Sequence, residues 1–313
     1  MGPAELEDGE QLVLGVSWVD RRPHLDLRSL RSGQRHRRPL LDRPLGLRVS
    51  TPGRFCTGWY GFVDGVGQLL ACPSGRRATT SSQCQDCALR DQFRFAHQGH
   101  VGGYVPAELE PYLRQPHWLY IATFADGFSK VGTAAEGRKQ ARLDDQGPAL
   151  AAYVACAADG RLVREAEDAL TRELALPQHR RGAAKAAAVA HPAPADRVAA
   201  RHAETVAQAS RLLTETVWGP GLTVVQEEWR PPAAMGVLRL PPPHGSWVEY
   251  PHDLTTGSHG LLGEAGAGAV ALARTEEGPD AVPHVVDLSR LKGVRLLLGT
   301  YRSPAAEVQE AMF

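Results

Sequence analysis

The sequence predicts an α+β protein in three parts: a β-rich N-terminal region at 1–110, a central ββαβα unit within 111–220, and a small β-rich domain at 221–313. Three observations carry this prediction. Residues 11–54 read as short apolar-containing strands separated by turn residues. Between 117 and 176 strand-like runs give way twice to apolar positions at helical spacing. From Leu222 onward, short apolar runs are separated by Pro and Gly.

The chain has 313 residues, 43% hydrophobic and 22% charged, enough to bury more than one core. Its longest apolar run, ALAAYVACAA, falls well short of the ~18 residues that read as a membrane span. The start, MGPAELEDGE, has neither the positive charge nor the apolar core of a signal peptide. A soluble cytoplasmic protein with no membrane partner is therefore expected. The formal net charge is zero, so any attraction to a polyanion has to come from local charge. That charge is uneven. Ten arginines face only Asp20, Asp26 and Asp42 between residues 20 and 54, whereas residues 240–313 hold five basic and nine acidic side chains. The basic end suits either an anionic ligand or a solvated arginine-rich surface.

Four of the five cysteines, Cys56, Cys72, Cys84 and Cys87, follow the pattern C-x15-C-x11-C-x2-C. In a reducing compartment such clustering favours a metal over disulfides, and four thiolates satisfy the tetrahedral demand of zinc. Cys84 and Cys87 form a CxxC knuckle. Cys56 and Cys72 approach each other only if GWYGFVDGVGQLLAC folds back as a hairpin around Asp64-Gly65. A competing ligand set is Cys84, Cys87, His97 and His100. Four sulfurs leave no open coordination position, so the expected zinc is structural. Cys156 sits alone in an apolar run and reads as a small core residue.

YVPAELEPYLRQP reads as a connector with a short helix stopped by Pro116. Residues 119–124 and 128–132 flank ADG, a three-residue hairpin connection. Pairing Phe124 with Phe128 sets Ala122 opposite Lys130 and Tyr120 opposite Gly132, which puts Tyr120 and Lys130 on one face. EGRKQARLDDQ has helical character, with Arg138 and Arg142 one turn apart. ALAAYVACA supplies a third strand and GRLVREAEDALTREL a second helix. In that helix Val163, Ala166, Leu170 and Leu174 form the apolar stripe, and Glu167 falls inside it while Glu165 points away. A carboxylate there is costly unless paired, hydrogen-bonded or metal-bound. RRGAAKAAAVAHPAPAD reads as a low-complexity linker or exposed surface, and a long helix opens at Asp196 and stops before Gly219-Pro220. The scattered His117, His179, His191 and His202 read as structural or exposed. GEAGAGAV lacks the spacing of a phosphate-binding loop.

A phenol, a lysine, paired arginines and an inward carboxylate suit phosphodiester chemistry. Tyrosine can position or deprotonate water, arginine can stabilise the phosphorane charge, and glutamate can hold a divalent ion. The bland alternatives are a half-buried aromatic, arginines paired with Asp144 or Asp145, and a salt bridge from Glu167 to Arg142 or another cation.

At these residues the chain resembles the GIY-YIG nuclease superfamily. LYIA at 119–122 is similar to the first signature, with Tyr120 as its tyrosine, and KVG at 130–132 is similar to the second, with Lys130 where tyrosine usually stands. Arg142, or Arg138 in its stead, corresponds to the helical arginine, and Glu167 in AEDAL to the metal-binding glutamate; the late asparagine has no counterpart near LPQHRRG. Over residues 56–174, FCTG, QCQDC, HWLYIA, KVGT and QG resemble an uncharacterised prokaryotic family that joins four cysteines to a degenerate GIY-YIG core, and LLGEAGAGAVAL is similar to that family's C-terminal region. The resemblance implies a zinc-containing, nucleic-acid-binding protein, with Tyr120, Lys130, Arg138, Arg142 and Glu167 as candidate catalytic residues and Mg or Mn on Glu167 if it cleaves. Two alternatives stay open: a binding module without catalysis, and an old nuclease scaffold with a small-molecule role in specialised metabolism.

Overall fold

The computed structural model describes residues 9–64, 66–78, 82–96, 99–239, 242, 245–275 and 281–304. It is a mixed α+β structure. In chain order come β1 (Gln11–Val19), β2 (Arg22–Ser29), β3 (Arg35–Pro39), β4 (Pro44–Thr51), β5 (Trp59–Val63), β6 (Val66–Leu70), α1 (Gln85–Arg90), α2 (Phe93–Ala96) and α3 (Glu110–Leu113). Next are β7 (His117–Thr123), β8 (Ser129–Ala135), α4 (Lys139–Gln146), β9 (Leu150–Ala157), α5 (Gly160–Leu174), α6 (Gly182–Ala190) and α7 (Ala195–Glu215). The chain continues through β10 (Leu222–Glu228), β11 (Val248–Glu249), β12 (Ser258–Ala267), β13 (Val270–Arg274), β14 (His284–Asp287) and β15 (Arg295–Leu298). None of the described helices is long and apolar enough to cross a membrane.

The two ends of the chain share one sheet. Its order is β11-β14-β13-β12-β4-β15-β1-β2-β3, so β15 sits between β4 and β1 and pairs with both. This differs from the three-part division at 110 and 220, because residues 221–313 do not form a β domain of their own. Their apolar faces complete the core begun by the N-terminal strands: Leu25, Leu27 and Leu47 pack with Leu261, Val286 and Leu296. Strand pairing over such sequence distances leaves no local signal. β10 also crosses the expected boundary at 220, since it joins the central sheet.

That central sheet has the order β10-β9-β7-β8, with β7 buried in the middle and β8 at the edge. β7, β8, α4, β9 and α5 follow the expected strand, strand, helix, strand, helix order. The expected hairpin register is observed: Tyr120 pairs with Gly132 and Ala122 with Lys130. Asp126 fixes the turn by accepting the Phe128 amide at 3.1 Å, and Gly127 takes the positive φ that closes it. One face of the sheet presents Leu119, Ile121, Val131 and Val154 to α5 and α7. The other presents Tyr120, Ala122 and Tyr153 to Leu143 of α4, Trp18 of β1 and Ala267 of β12. There the layers come very close. Gly147, at the left-handed end of α4, leaves no room for a side chain, because a Cβ would lie 2.3 Å from backbone atoms of Ala267 and Gly268.

Two local expectations are corrected. The alanine-rich stretch is not a linker: residues 182–190 form α6, which buries Ala188 and Ala190 against β13 and β14. Alanine is the strongest helix former, and its small side chain permits close packing with little hydropathic periodicity to reveal it. Cys156 is half-buried on β9 rather than in the core.

Candidate metal centre and candidate anion site

β5 and β6 form the hairpin expected from the cysteine spacing, although Gly65 of its turn lies outside the described residues. The fold-back brings Cys56, Cys72, Cys84 and Cys87 together, with all four sulfurs within 4.8 Å of one another. The Cys72 and Cys84 sulfurs are 3.9 Å apart. A tetrahedron of ~2.3 Å metal–sulfur bonds has edges of about 3.8 Å, so the four can hold one metal ion. The Gly58 amide donates to Cys56 Sγ at 3.4 Å, the backbone support expected of a metal-binding knuckle. Burial pushes the Cys56 and Cys87 thiols up. Burial also disfavours the Cys72 thiolate, but the Ser74 hydroxyl and the amides of Ser74 and Arg76 bring it down to about 6. Four crowded thiols of which one ionises easily are what a cation would relieve. The mixed set does not assemble from the described part: His100 turns its Nε2 to Asp168 on α5 at 2.7 Å, and His97 lies outside the described residues.

The second cluster forms where Tyr120 crosses the edge strand. Its hydroxyl would lie 2.5 Å from a Cβ at Gly132, so the glycine of KVG is the space the phenol occupies. The phenol is fully buried, and among the described residues its oxygen makes no hydrogen bond of full geometry, Arg142 being the side chain that approaches it. Burial raises its pKa, and the charge of Arg142 pulls it back. Arg142, on α4, is itself exposed, and it takes part in none of the ion pairs found among the described residues. The phenol is the main influence on the Arg142 guanidinium and holds its pKa up, so the two groups face each other.

Lys130 shares this face, with Nζ 5.5 Å from the Tyr120 ring centre. It is 2% exposed and donates to the Gln178 carbonyl at 2.9 Å, from the segment that also covers the β8 edge through Pro177 and Val131. Burial, and next the charge of Arg142, lower its pKa to about 8. A second lysine, Lys185 of α6, donates to the carbonyl and side chain of Gln146 at 3.0 and 2.9 Å. Burial lowers it to about 7, with Lys130 the largest charge acting in the same sense. Both amines are held by neutral acceptors. In contrast, Arg180 packs on Phe124 and Phe128 and is paired with Asp126 through both nitrogens.

Glu167 is buried inside the α5 stripe, as its sequence position predicts. Its carboxylate is ion-paired with Arg164, one turn back on the same helix. The partner is thus neither Arg142 nor Lys130, although the Glu167 charge acts on both Tyr120 and Lys130. Arg138 lies apart from Arg142's helical turn: it ends a 3-10 turn at Glu136–Arg138 and pairs with Asp145 at 2.5 Å. Asp144 faces inward to the Trp229 indole and is raised to about 6 by burial.

Arg142 and Glu167 thus each act on both Tyr120 and Lys130, while Arg138 is engaged with Asp145. Arg164, Gln178 and Lys185 belong to the same neighbourhood but went unread in the sequence. For Lys185 there was a signal, a lone charge inside GAAKAAAVA. The histidines are structural or exposed: His117 bonds the Gln115 carbonyl, His202 the Thr123 hydroxyl, and His191 pairs with Glu249, while His179 is exposed. Among the N-terminal arginines, Arg28 is buried and donates to Thr57 and Leu69 carbonyls, and Arg22 and Arg37 are ion-paired. No protein-family model, curated protein or solved structure matches the chain.

Proposed function

We propose that the chain is a zinc-stapled, GIY-YIG-like protein that binds nucleic acid through its phosphates without necessarily cutting it. The observation that carries this is the surplus of positive charge around Tyr120. Lys130 and Lys185 rest on neutral acceptors, Arg142 is exposed beside them, and the carboxylates whose charge reaches them, Glu167 and Asp145, are already ion-paired with Arg164 and Arg138. Lysines whose charged form is disfavoured first by burial and then by a neighbouring cation are relieved by an anion, and a phosphodiester supplies one. Zinc is the ion that four cysteine sulfurs suit best, as a closed structural site.

The same features weigh against a resident Mg or Mn ion, which would enter a cationic field whose carboxylates, Glu167 and Asp145, are already paired with arginines. A fully enclosed phenol whose pKa is raised is also a poor base. Metal-dependent cleavage is the second reading, favoured by one observation, the burial of Glu167 within electrostatic reach of Tyr120.

Binding of labelled DNA and RNA, followed by anisotropy over a salt series, tests the first. Arg142→Ala is expected to weaken binding about tenfold and to lower the salt dependence. Retention unaffected by both salt and Arg142→Ala would refute it. Cleavage that requires added Mg or Mn and disappears in Glu167→Gln would establish the second.

A further inference from the structure

We infer that the nucleic acid taken by this protein is single-stranded, and that its bases stack on Tyr60 of the cysteine-bearing hairpin while its phosphates run past Arg35 toward Arg142, with Arg37 and Arg138 along the path held by Asp26 and Asp145. This rests on the phosphate-binding function proposed above and adds to it a strand class and a path.

The path is built from three parts of the chain that the fold brings together. The β5–β6 hairpin is fastened to β2 by Arg28, which is buried and donates to the carbonyls of Thr57 and Leu69 at 3.2 Å each. Beside it, Asp26 and the adjoining strand β3 line a cavity of about 330 Å3 with Arg35, His36 and Arg37. That is at the lower end of the range for small-ligand sites, ~300 to 1,000 Å3, suited to one nucleotide unit rather than a duplex. The third part is α4 with its preceding turn, which carries Arg138 and Arg142.

Tyr60 stands among these parts. It is 41% exposed, and the charges of both Arg138 and Arg35 act on its phenol. Aromatic rings connect it to the central sheet: Tyr60 to Phe93 at 5.8 Å, Phe93 to Tyr112 at 5.8 Å, and Tyr112 to His117 at 5.2 Å between centroids. Tyr112 in turn lies in the field of Arg164, Arg142 and Arg138. A row of half-buried aromatic rings thus extends inward from the exposed Tyr60 to His117 at the start of β7. Burial, and next the charge of Arg35, lower the pKa of Arg28, while Asp26 in the cavity lining and Asp91 beside Tyr60 supply the opposing charge.

Duplex bases are stacked on each other and offer no free ring face, whereas unpaired bases stack readily on exposed aromatics flanked by cations. Neither the phosphates alone nor a rigid duplex would use Tyr60.

The test measures anisotropy of the full-length protein with a short labelled oligothymidylate, the same strand annealed to its complement, and an abasic strand of equal length. The single strand is expected to bind at least tenfold tighter than the other two. Tyr60→Ala should lose about tenfold for the thymidylate and nothing for the abasic strand, with Tyr60→Phe close to wild type. Arg35→Glu, in the cavity lining, should weaken every strand and reduce the salt dependence, and serves alone if Tyr60→Ala does not fold. Equal affinity for duplex and single strand, or wild-type affinity in Tyr60→Ala or Arg35→Glu, overturns this inference. Loss of binding in Arg142→Ala alone would in that case leave the phosphate-binding function standing. Failure of every strand to bind removes both.

Discussion

Tyr120 lies directly across Gly132: the phenol oxygen occupies the place where a methyl group on the neighbouring strand would be, 2.5 Å from it. The glycine therefore acts as a seat, and it sets how far the ring reaches toward Arg142. Gly132→Ala should displace the ring and destabilise the protein by about 1–3 kcal/mol, the usual cost of overpacking a filled core. Denaturant midpoints measure this. A variant as stable as wild type would show that the ring has other room.

Glu167 and Arg164 form a pair in which the carboxylate is 3% exposed and the guanidinium 14%. Removing one member strands the other charge. Glu167→Ala is expected to lose about 3 kcal/mol or more, while a double variant with Leu at both positions should lose less than the single. Thermal or urea unfolding of the wild type, Glu167→Leu, Arg164→Leu and the double Leu variant closes the cycle, and additive losses would contradict the pairing. Any activity measurement on Glu167 variants has to be read beside this stability change.

The buried lysines give a pH dependence with a definite sign. Both Lys130 and Lys185 titrate below their ordinary value, at about 8 and about 7. From those values up to about 10.4, the range of free lysine, the unfolded chain holds more protons than the folded one, so these two groups make stability rise with pH there. Anion binding behaves oppositely, since it needs the charged amines. Affinity for an oligonucleotide should fall as pH rises through about 7 and then about 8, and binding near pH 8 should take up protons, detectable by calorimetry in buffers of different ionisation enthalpy. Lys185→Met should flatten the lower part of the profile.

One zinc per chain is expected on elemental analysis of purified protein. Cys87→Ser should lose it, with a fall in Tm on the order of 5–10 °C as a bound staple is removed. Cys156→Ser should keep both metal and Tm. Retention of zinc in Cys87→Ser would point to a different ligand set.

The parts legible in the sequence were those determined within a few residues. ADG fixed the β7–β8 register, and with it the shared face of Tyr120 and Lys130. The cysteine spacing implied the hairpin that closes the sulfur cluster. Glu167 was visible as a polar residue in an apolar stripe, although its partner Arg164, three positions back, was not chosen over Arg142. What stayed hidden was non-local or lacked contrast. Nothing near Arg295 announces that β15 will lie between β1 and β4. The alanines of α6 carry too little hydropathic contrast to show a buried face, which concealed Lys185 as well.

The place of β15 between β4 and β1 also governs how the molecule is made. β1 and β4 wait with unpaired edges until β15 has been translated, so the large sheet cannot close before residue 298 has been added. For the newborn chain this is a window of exposure to aggregation, and it makes the earliest strands hostage to the latest.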